Sequence, residues 1–305
     1  MIQTEGRGFC GSGGGNKGAF IVGVLEYLQN KEKINLDNYQ ILGGNSTSSL
    51  IIQTLSLNKL DDLINVYTNV SNKDIFKYSP TFQNGWMNPF NMLYNLIKIG
   101  SLGDSENLFK LLQKYFTYKD YLYIKSINKN IIVAVCNLTY EVKEFYSINN
   151  FANTEEGYTK YLRLVWSSAN NFPFMSVYND NGVEYVDGGY AEHIPLENTV
   201  QLCHESNIKE MDVILTRPLP EDFDKLPKKL NFLKRIGSLF GIWKKEVSFS
   251  DVRFGIKKAK ELGIKLNIYY PRKEIKFNPL VFNSKKMTEW YNMGKNGEFK
   301  KRVIN

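Results

Sequence analysis

The sequence predicts an α/β protein whose mostly parallel central sheet lies between layers of helices. Three observations carry this reading. Short apolar runs of strand length alternate with longer segments whose apolar residues recur at helical spacing. Glycine-containing turns join the first strands to the helices that follow them, and strands separated by helices pair in parallel. No Pro- or Ser-rich linker and no internal repeat divides the chain. One domain is therefore expected over residues 1–305, with its core at about 7–271 and a C-terminal basic helix and tail at about 272–305.

Strand 6–11 runs into Gly11-Ser12-Gly13-Gly14-Gly15-Asn16-Lys17-Gly18. A helix over 17–31 follows, with Ile21, Val24, Leu25 and Leu28 on one face. Strand 39–43 leads through Gly43-Gly44-Asn45-Ser46 into a helix over 47–56. Helices over 59–71 and 105–116 come next, then strands 131–137 and 142–147, close enough in sequence to form a hairpin. A helix over 157–170 precedes strand 183–186, which ends in Asp187-Gly188-Gly189. Helix 195–207, strand 211–216, helix 250–262, strand 265–270 and helix 284–293 complete the alternation. Lys295 to Arg302 reads as a solvated basic tail.

Composition bounds the function. Hydrophobic residues make up 43% and charged residues 23%, ordinary for a globular chain. Lys+Arg 39 against Asp+Glu 31 gives a net charge of +8, which favours anionic partners. Those are membranes or nucleic acid, and no nucleic-acid motif supports the second. Cys10, Cys136 and Cys203 are too widely spaced for a zinc site or a disulfide framework, so a reducing compartment is expected. Cys10 and Cys136 lie in apolar strands and read as inert core residues. Met1 to Glu5 lacks a basic stretch followed by an apolar run. The apolar runs fall short of the roughly twenty residues that span a bilayer. The expectation is a cytoplasmic protein that meets lipid peripherally. No cluster of Asp, Glu, His or Cys has metal-ligand spacing, and no cofactor is expected.

Three segments carry chemistry. The glycine loop at 11–18 leaves backbone N–H groups at a helix N-terminus, a site for negative charge. A P-loop requires Ser or Thr after the lysine, and Lys17 is followed by Gly18. Gly13-x-Gly15-x-x-Gly18 formally matches a dinucleotide loop, but the acidic residue near the required distance, Asp37, lies in a loop. The third reading is an oxyanion hole, which requires a nucleophile elsewhere. Ser46 supplies one: Gly44-Asn45-Ser46-Thr47-Ser48 has the strand-to-helix layout of a nucleophile elbow, with Ser48 in place of its last glycine. Taken alone, Ser46 is equally a helix N-cap. Asp187, before Gly188 and Gly189, is a candidate base, or by itself a simple Asp-Gly turn.

Together, and in this order, the Gly-Gly-Gly-x-Lys-Gly loop, the serine elbow and the Asp-Gly-Gly turn resemble those of patatin-like phospholipases. Ser101 to Leu112 resembles the family's capped helix, with Asp104 as N-cap. Trp166-Ser167-Ser168-Ala169 with Phe172-Pro173-Phe174 resembles the segment leading to the family's aspartate. Leu215-Thr216-Arg217-Pro218 and Ile268-Tyr269-Tyr270-Pro271 resemble two later strand ends. The resemblance spans about 7–271 and implies a three-layer α/β/α patatin-like fold.

The resemblance also implies a lipid acyl hydrolase of phospholipase A or lysophospholipase type. Ser46 is then the nucleophile and Asp187 the base, with no histidine between them. Gly14 and Gly15, joined by Gly13 or Asn16, hold the oxyanion. Lys17, Gly18, Gly44, Gly188 and Gly189 support the motifs. Lys17 reads either as a solvated first-turn lysine or as a group serving anionic headgroups or loop structure. His193, six residues past Asp187, could lie near the site; His204 reads as a helical surface residue. An acyltransferase using the same dyad, and an inactive membrane-binding protein on the same fold, are the alternatives.

Two segments could meet a membrane. Residues 75–100 are rich in aromatic and aliphatic residues and read as a lid or acyl tunnel, or as a cap packed on the core. Residues 227–245 place Phe232, Leu233, Ile236, Leu239, Phe240 and Trp243 at helical spacing among lysines. Such a stretch suits an anionic membrane surface, or is an ordinary surface helix.

Overall fold

The computed structural model describes residues 6–82, 84–219, 232–275, 278 and 280–305, with backbone alone at 232–240 and 244. The strands are β1 (Arg7–Gly11), β2 (Tyr39–Asn45), β3 (Asn130–Asn137), β4 (Val142–Ser147), β5 (Tyr178–Asp180), β6 (Val183–Asp187), β7 (Glu210–Ile214), β8 (Lys265–Pro271) and β9 (Phe299–Ile304). They form one sheet in the order β5-β6-β3-β2-β1-β7-β8-β9, with β4 also on β3. The central run β3-β2-β1-β7-β8 is parallel, and the strands added around it are antiparallel.

Alternate residues of the central strands enter two separate cores. Phe9, Leu42, Ile214 and Tyr269 join one, while Cys10, Ile41, Val213 and Ile268 join the other. Period-2 side-chain alternation with both faces apolar is what a sheet covered on both sides requires. The first core is closed by α1 (Gly18–Asn30), α2 (Thr47–Ser56), α3 (Leu60–Asn69), α6 (Glu106–Tyr115), α7 (Tyr118–Ser126), α8 (Glu155–Ser168) and α11 (Ser284–Lys295). The second is closed by α9 (Leu196–Glu205) and α10 (Phe232–Leu262). Short α4 (Asn72–Ile75) and α5 (Pro89–Ile99) lie between α3 and α6 in the chain. This is the three-layer arrangement the sequence predicts.

Several elements depart from expectation. The stretch read as a basic tail forms β9, the antiparallel partner of β8 from Leu266↔Ile304 to Pro271↔Phe299. Only Phe299 and Ile304 of that strand are buried, so its sequence shows no alternation; an open sheet edge decides its conformation. The core therefore extends past 271: α11 packs Met287, Trp290 and Tyr291 into the first core. The expected helix over 250–262 is the end of α10, which begins at Phe232. Residues 227–231 of the proposed membrane stretch lie outside the described residues, as do Met1 to Glu5. Asp104 is not the N-cap of α6; Ser105 holds that place, though Asp104 Oδ1 still accepts the N–H of Glu106 at 3.0 Å. The Ser105 side chain is engaged elsewhere, donating to Asn170 Oδ1 at 3.1 Å.

Candidate active site

β3 brings the two halves of the site together. One of its edges pairs with β4 over 132–137, so β2 and β6 share the other edge. β2 ends with Asn45 opposite Ala134, and β6 ends with Asp187 opposite Val135. The turns that leave these two strands start one register position apart. Ser46 follows Asn45 in the first turn, and Gly188–Tyr190 forms a single 3-10 turn after Asp187.

Ser46 sits at φ 54°, ψ −125°, a backbone conformation that costs an L residue on the order of 1–3 kcal/mol. Hydrogen bonds hold it there. Its N–H donates to Ser168 Oγ at 3.1 Å, and its carbonyl accepts from Ser49 N–H at 2.9 Å and Ser49 Oγ at 2.6 Å. Ser168 Oγ donates in turn to Asn45 Oδ1 at 3.3 Å, and Asn45 Nδ2 donates to the Glu192 carbonyl. From this turn Ser46 Oγ donates to Asp187 Oδ2 at 2.8 Å. The other carboxylate oxygen, Oδ1, accepts the N–H of Gly189 at 2.7 Å, and Asp187 N–H donates to the Asn170 carbonyl at 3.0 Å. Both side chains are buried.

The serine that replaces the last elbow glycine has a place made for it. Ser48 Oγ donates to the Ser12 carbonyl at 2.7 Å, tying α2 to the glycine loop. The room comes from Gly11, where a Cβ would lie 2.5 Å from Ser48 Oγ. Gly44 permits the same approach from below: a Cβ there would lie 2.6 Å from the Ser48 carbonyl oxygen.

The glycine loop passes over the serine. Gly13 N–H, expected among the oxyanion donors, is taken by the His193 carbonyl at 2.9 Å. The backbone N–H groups of Gly14 and Gly15 meet no acceptor among the described residues. Asn16 uses its side-chain amide to anchor the carbonyls of Asn278 and Val281, at 3.0 and 2.9 Å. Gly18 opens α1. Lys17 is neither solvated nor turned to a headgroup: it is 1% exposed and its Nζ donates to the Thr216 carbonyl at 3.2 Å. The lysine braces the loop against the segment after β7, because a buried ammonium has to be hydrogen-bonded.

His193 lies close to the pair. A methyl group on Gly13 would lie 3.2 Å from Ser46 Cβ and 3.4 Å from His193 Nδ1. No hydrogen bond links His193 to Ser46 or Asp187 among the described residues. Asp251 of α10 fixes this stretch, accepting the N–H groups of His193 and Ile194 at 2.6 and 3.3 Å. Burial, with the neighbouring Glu192 carboxylate, pushes the Asp251 carboxyl up to about 7. His204 is exposed on α9. The three thiols are buried and free, and burial pushes that of Cys136 up to about 11.

A cavity enclosing about 1390 Å³, its open mouth included, leads away from the pair. Its polar end holds Gly13, Gly14, Gly15, Ser46, Asp187 and Arg217. Its walls are apolar, with Leu63 and Val66 from α3, Leu108 and Leu112 from α6, and Phe282 and Met287 from the C-terminal part. Tyr190 also lines it, and Trp243 of α10 stacks on that ring with centroids 6.0 Å apart. Arg217 has no hydrogen bond or ion pair among the described residues. Burial pulls its guanidinium below the usual range, and Glu274 acts in the opposite sense. Sequence reasoning missed Arg217, Ser168, Asn170 and Asp251 as parts of this site. Arg217, three residues past the end of β7, carried a local signal, since ligands gather at the C-terminal ends of parallel strands.

The profile of patatin-like phospholipases matches residues 9–200, more than half of the chain. The chain belongs to the patatin-like phospholipase family. Membership implies lipid acyl hydrolase activity. The patatin-like match takes in the loop, the elbow and the Asp-Gly-Gly turn, whereas Arg217, Asp251, Phe282 and Met287 lie beyond it. Among solved structures, that of VipD from Legionella pneumophila is similar over 98% of this chain and 68% of VipD, at 14% identity and a TM-score of 0.44. A likeness that distant bears on neither substrate nor partner. No curated protein matches the chain significantly. Among the described residues of this patatin-like chain, no helix is long and apolar enough to cross a membrane. Among them, too, no group of three or more His, Cys, Asp or Glu could hold a metal ion.

Proposed function

We propose that the protein is a phospholipase A-type or lysophospholipase hydrolase working through an acyl-enzyme on Ser46. The observation that carries this is the 2.8 Å hydrogen bond from Ser46 Oγ to Asp187 Oδ2 at the head of an apolar cavity. Asp187 takes the hydroxyl proton as Ser46 Oγ attacks the ester carbonyl. The N–H groups of Gly14 and Gly15 face the developing oxyanion; losing one such donor typically costs about two to three decades in rate. Collapse expels the alcohol, which leaves with the proton held by Asp187. Water then gives a proton to the same carboxylate, attacks the acyl ester and frees the fatty acid and Ser46. The apolar walls suit an acyl chain. Arg217, a cation at the polar end with no anion bonded to it among the described residues, favours a phosphorylated headgroup over a neutral one. The substrate is then a phospholipid presented at an anionic membrane surface, met peripherally by a protein of net charge +8.

Ser46→Ala and Asp187→Asn test this. Each is expected to lower fatty-acid release, read by mass spectrometry on phospholipid micelles, by about two to four decades. The double variant is expected to match either single one, because groups acting as a unit lose activity non-additively. A fluorophosphonate probe is expected to label the parent and not Ser46→Ala. Asp187→Asn retaining activity within tenfold of the parent would remove Asp187 as the base.

A further inference from the structure

We propose that α5 and the turn before it are the surface by which the protein lies on an anionic phospholipid bilayer, the helix axis in the plane of the interface. This rests on the lipid-hydrolase reading of the site and names where that site meets its substrate's membrane.

α5 is turned inside out. Asn88, Asn91 and Asn95 share one helical face, and that face points inward. Asn95 is 1% exposed and donates to the carbonyls of Tyr78 and Leu102, at 3.1 and 3.2 Å. Asn91 donates to the Ser79 carbonyl at 3.0 Å, and Asn88 caps the helix by accepting from Asn91 N–H. The large apolar residues face water instead: Phe90 is 82% exposed, Leu93 60%, Leu96 52% and Ile97 73%, with Trp86 just before them at 75%. A helix of a water-bathed surface shows the opposite order, and a contiguous apolar patch of this kind marks a contact with a partner or a membrane. The expectation that 75–100 packs as a cap on the core is met by Ile75 and Phe76, which are buried, and not by the large apolar residues of α5 and the turn before it.

Charge and position select the bilayer. Between Asp74 and Asp104 the sequence has no acidic residue, while Lys77 and Lys98 stand exposed at the rim. That is complementary to anionic headgroups, where each nearby basic residue adds attraction that salt screens. Trp86 and Tyr94 are the amphipathic aromatics that settle at headgroup depth. α5 has 11 residues, about 16 Å of helix, enough to lie in an interface and too short to cross one. The patch is also continuous with the cavity. Thr81 and Asn72 both donate to the Leu280 carbonyl, and Phe282 N–H donates to Asn72 Oδ1. Ile75 and Phe282, at the two ends of this seam, line the acyl cavity, so a bilayer on α5 lies beside the cavity walls.

The full chain is tested by co-sedimentation with vesicles of phosphatidylcholine, with and without phosphatidylglycerol. Phe90→Ser/Ile97→Ser is expected to weaken binding at least tenfold at every salt concentration. Lys77→Glu/Lys98→Glu is expected to weaken it only at low salt and only on phosphatidylglycerol vesicles. Turnover of a soluble short-chain ester, unchanged in both, reports that the variants are folded. Ser46→Ala is expected to bind like the parent, so a failed catalytic mechanism leaves this result standing and a failed docking surface leaves the mechanism standing. A measurement on folded parent protein supports it independently: brominated lipid is expected to quench its tryptophan fluorescence, and Trp86→Phe to remove most of that quenching. Quenching that survives in Trp86→Phe would move the contact to Trp243 and overturn the assignment. Equal vesicle binding by parent and Phe90→Ser/Ile97→Ser would overturn it too, as would a concentration-dependent parent dimer that this variant abolishes.

Discussion

Exchanging side-chain atoms between Ser48 of α2 and Gly11 of β1 isolates what positions Ser46. Gly11→Ala alone would set a Cβ 2.5 Å from Ser48 Oγ and 2.8 Å from Ser48 Cβ, both well inside contact distance. The hydroxyl can rotate away only by giving up its hydrogen bond to the Ser12 carbonyl, and the Cβ can move only with α2. Overpacking of this kind costs about 1–3 kcal/mol. At roughly 2 °C per kcal/mol for a chain of this size, the melting temperature falls by about 2–6 °C. Ser48→Gly alone loses that hydrogen bond, about 1 kcal/mol, and puts glycine in the first turn of a helix, up to about 1 kcal/mol more. The double variant has no clash, so it is expected to resemble Ser48→Gly, with a favourable coupling of about 1–3 kcal/mol. Urea unfolding measures the cycle, and short-chain ester turnover reports on Ser46. Misplacing a nucleophile by about 1 Å can cost a hundredfold, so Gly11→Ala is expected to lose activity beyond its loss of stability, and Ser48→Gly to restore it. Stabilities that add within about 0.5 kcal/mol would refute the account, because the two positions would then not share one space.

Two further outcomes are expected. Arg217→Gln should raise KM for phosphorylated lipids by about ten- to a hundredfold, the worth of a charge-assisted hydrogen bond, and leave KM for a neutral monoacylglycerol nearly unchanged; equal losses on both would detach Arg217 from the headgroup. Asp251 holds its proton more tightly in the folded state, its carboxyl standing at about 7 against an ordinary 3.8. The stability linked to that proton is therefore complete below about pH 4 and lost as pH rises through 7. Asp251→Asn keeps an acceptor for His193 and Ile194 and removes the titration. Relative to this variant, the parent should lose at most about 2.5 kcal/mol between pH 5 and pH 8. Urea midpoints that differ by a constant amount across that range would contradict the assignment.

Much of the scaffold was written in local periodicity. The helix over 47–56 and the strand over 142–147 coincide with α2 and β4, and the other expected strands match theirs within two residues at each end. These segments bury one face or both, and a buried face imposes its period on the sequence. α7 was missed because Tyr118 to Ser126 buries little beyond Tyr121 and Ile124. β5 was missed although Asn181-Gly182, both at positive φ, is the signature of the tight hairpin that joins it to β6. α5 was missed because its apolar side faces out, so its pattern carries no information about the core.

The sequence by itself determined the α/β alternation, the family, and the three segments that meet at the site. Glycines where backbones must approach, a serine after a strand and an aspartate before two glycines are local requirements, legible one segment at a time. The tertiary structure decided what those segments do to one another. It set Asn45 and Asp187 one register step apart on β3, which puts Ser46 Oγ 2.8 Å from its carboxylate. It withdrew Gly13 N–H to the His193 carbonyl and buried Lys17 against Thr216. It brought Arg217 and Phe282 into the cavity from beyond the family match, and it turned the apolar side of α5 outward. Each of these depends on pairing between residues far apart in the chain. Strand register and side-chain burial are properties of the assembled sheet, and no window of neighbouring residues contains them.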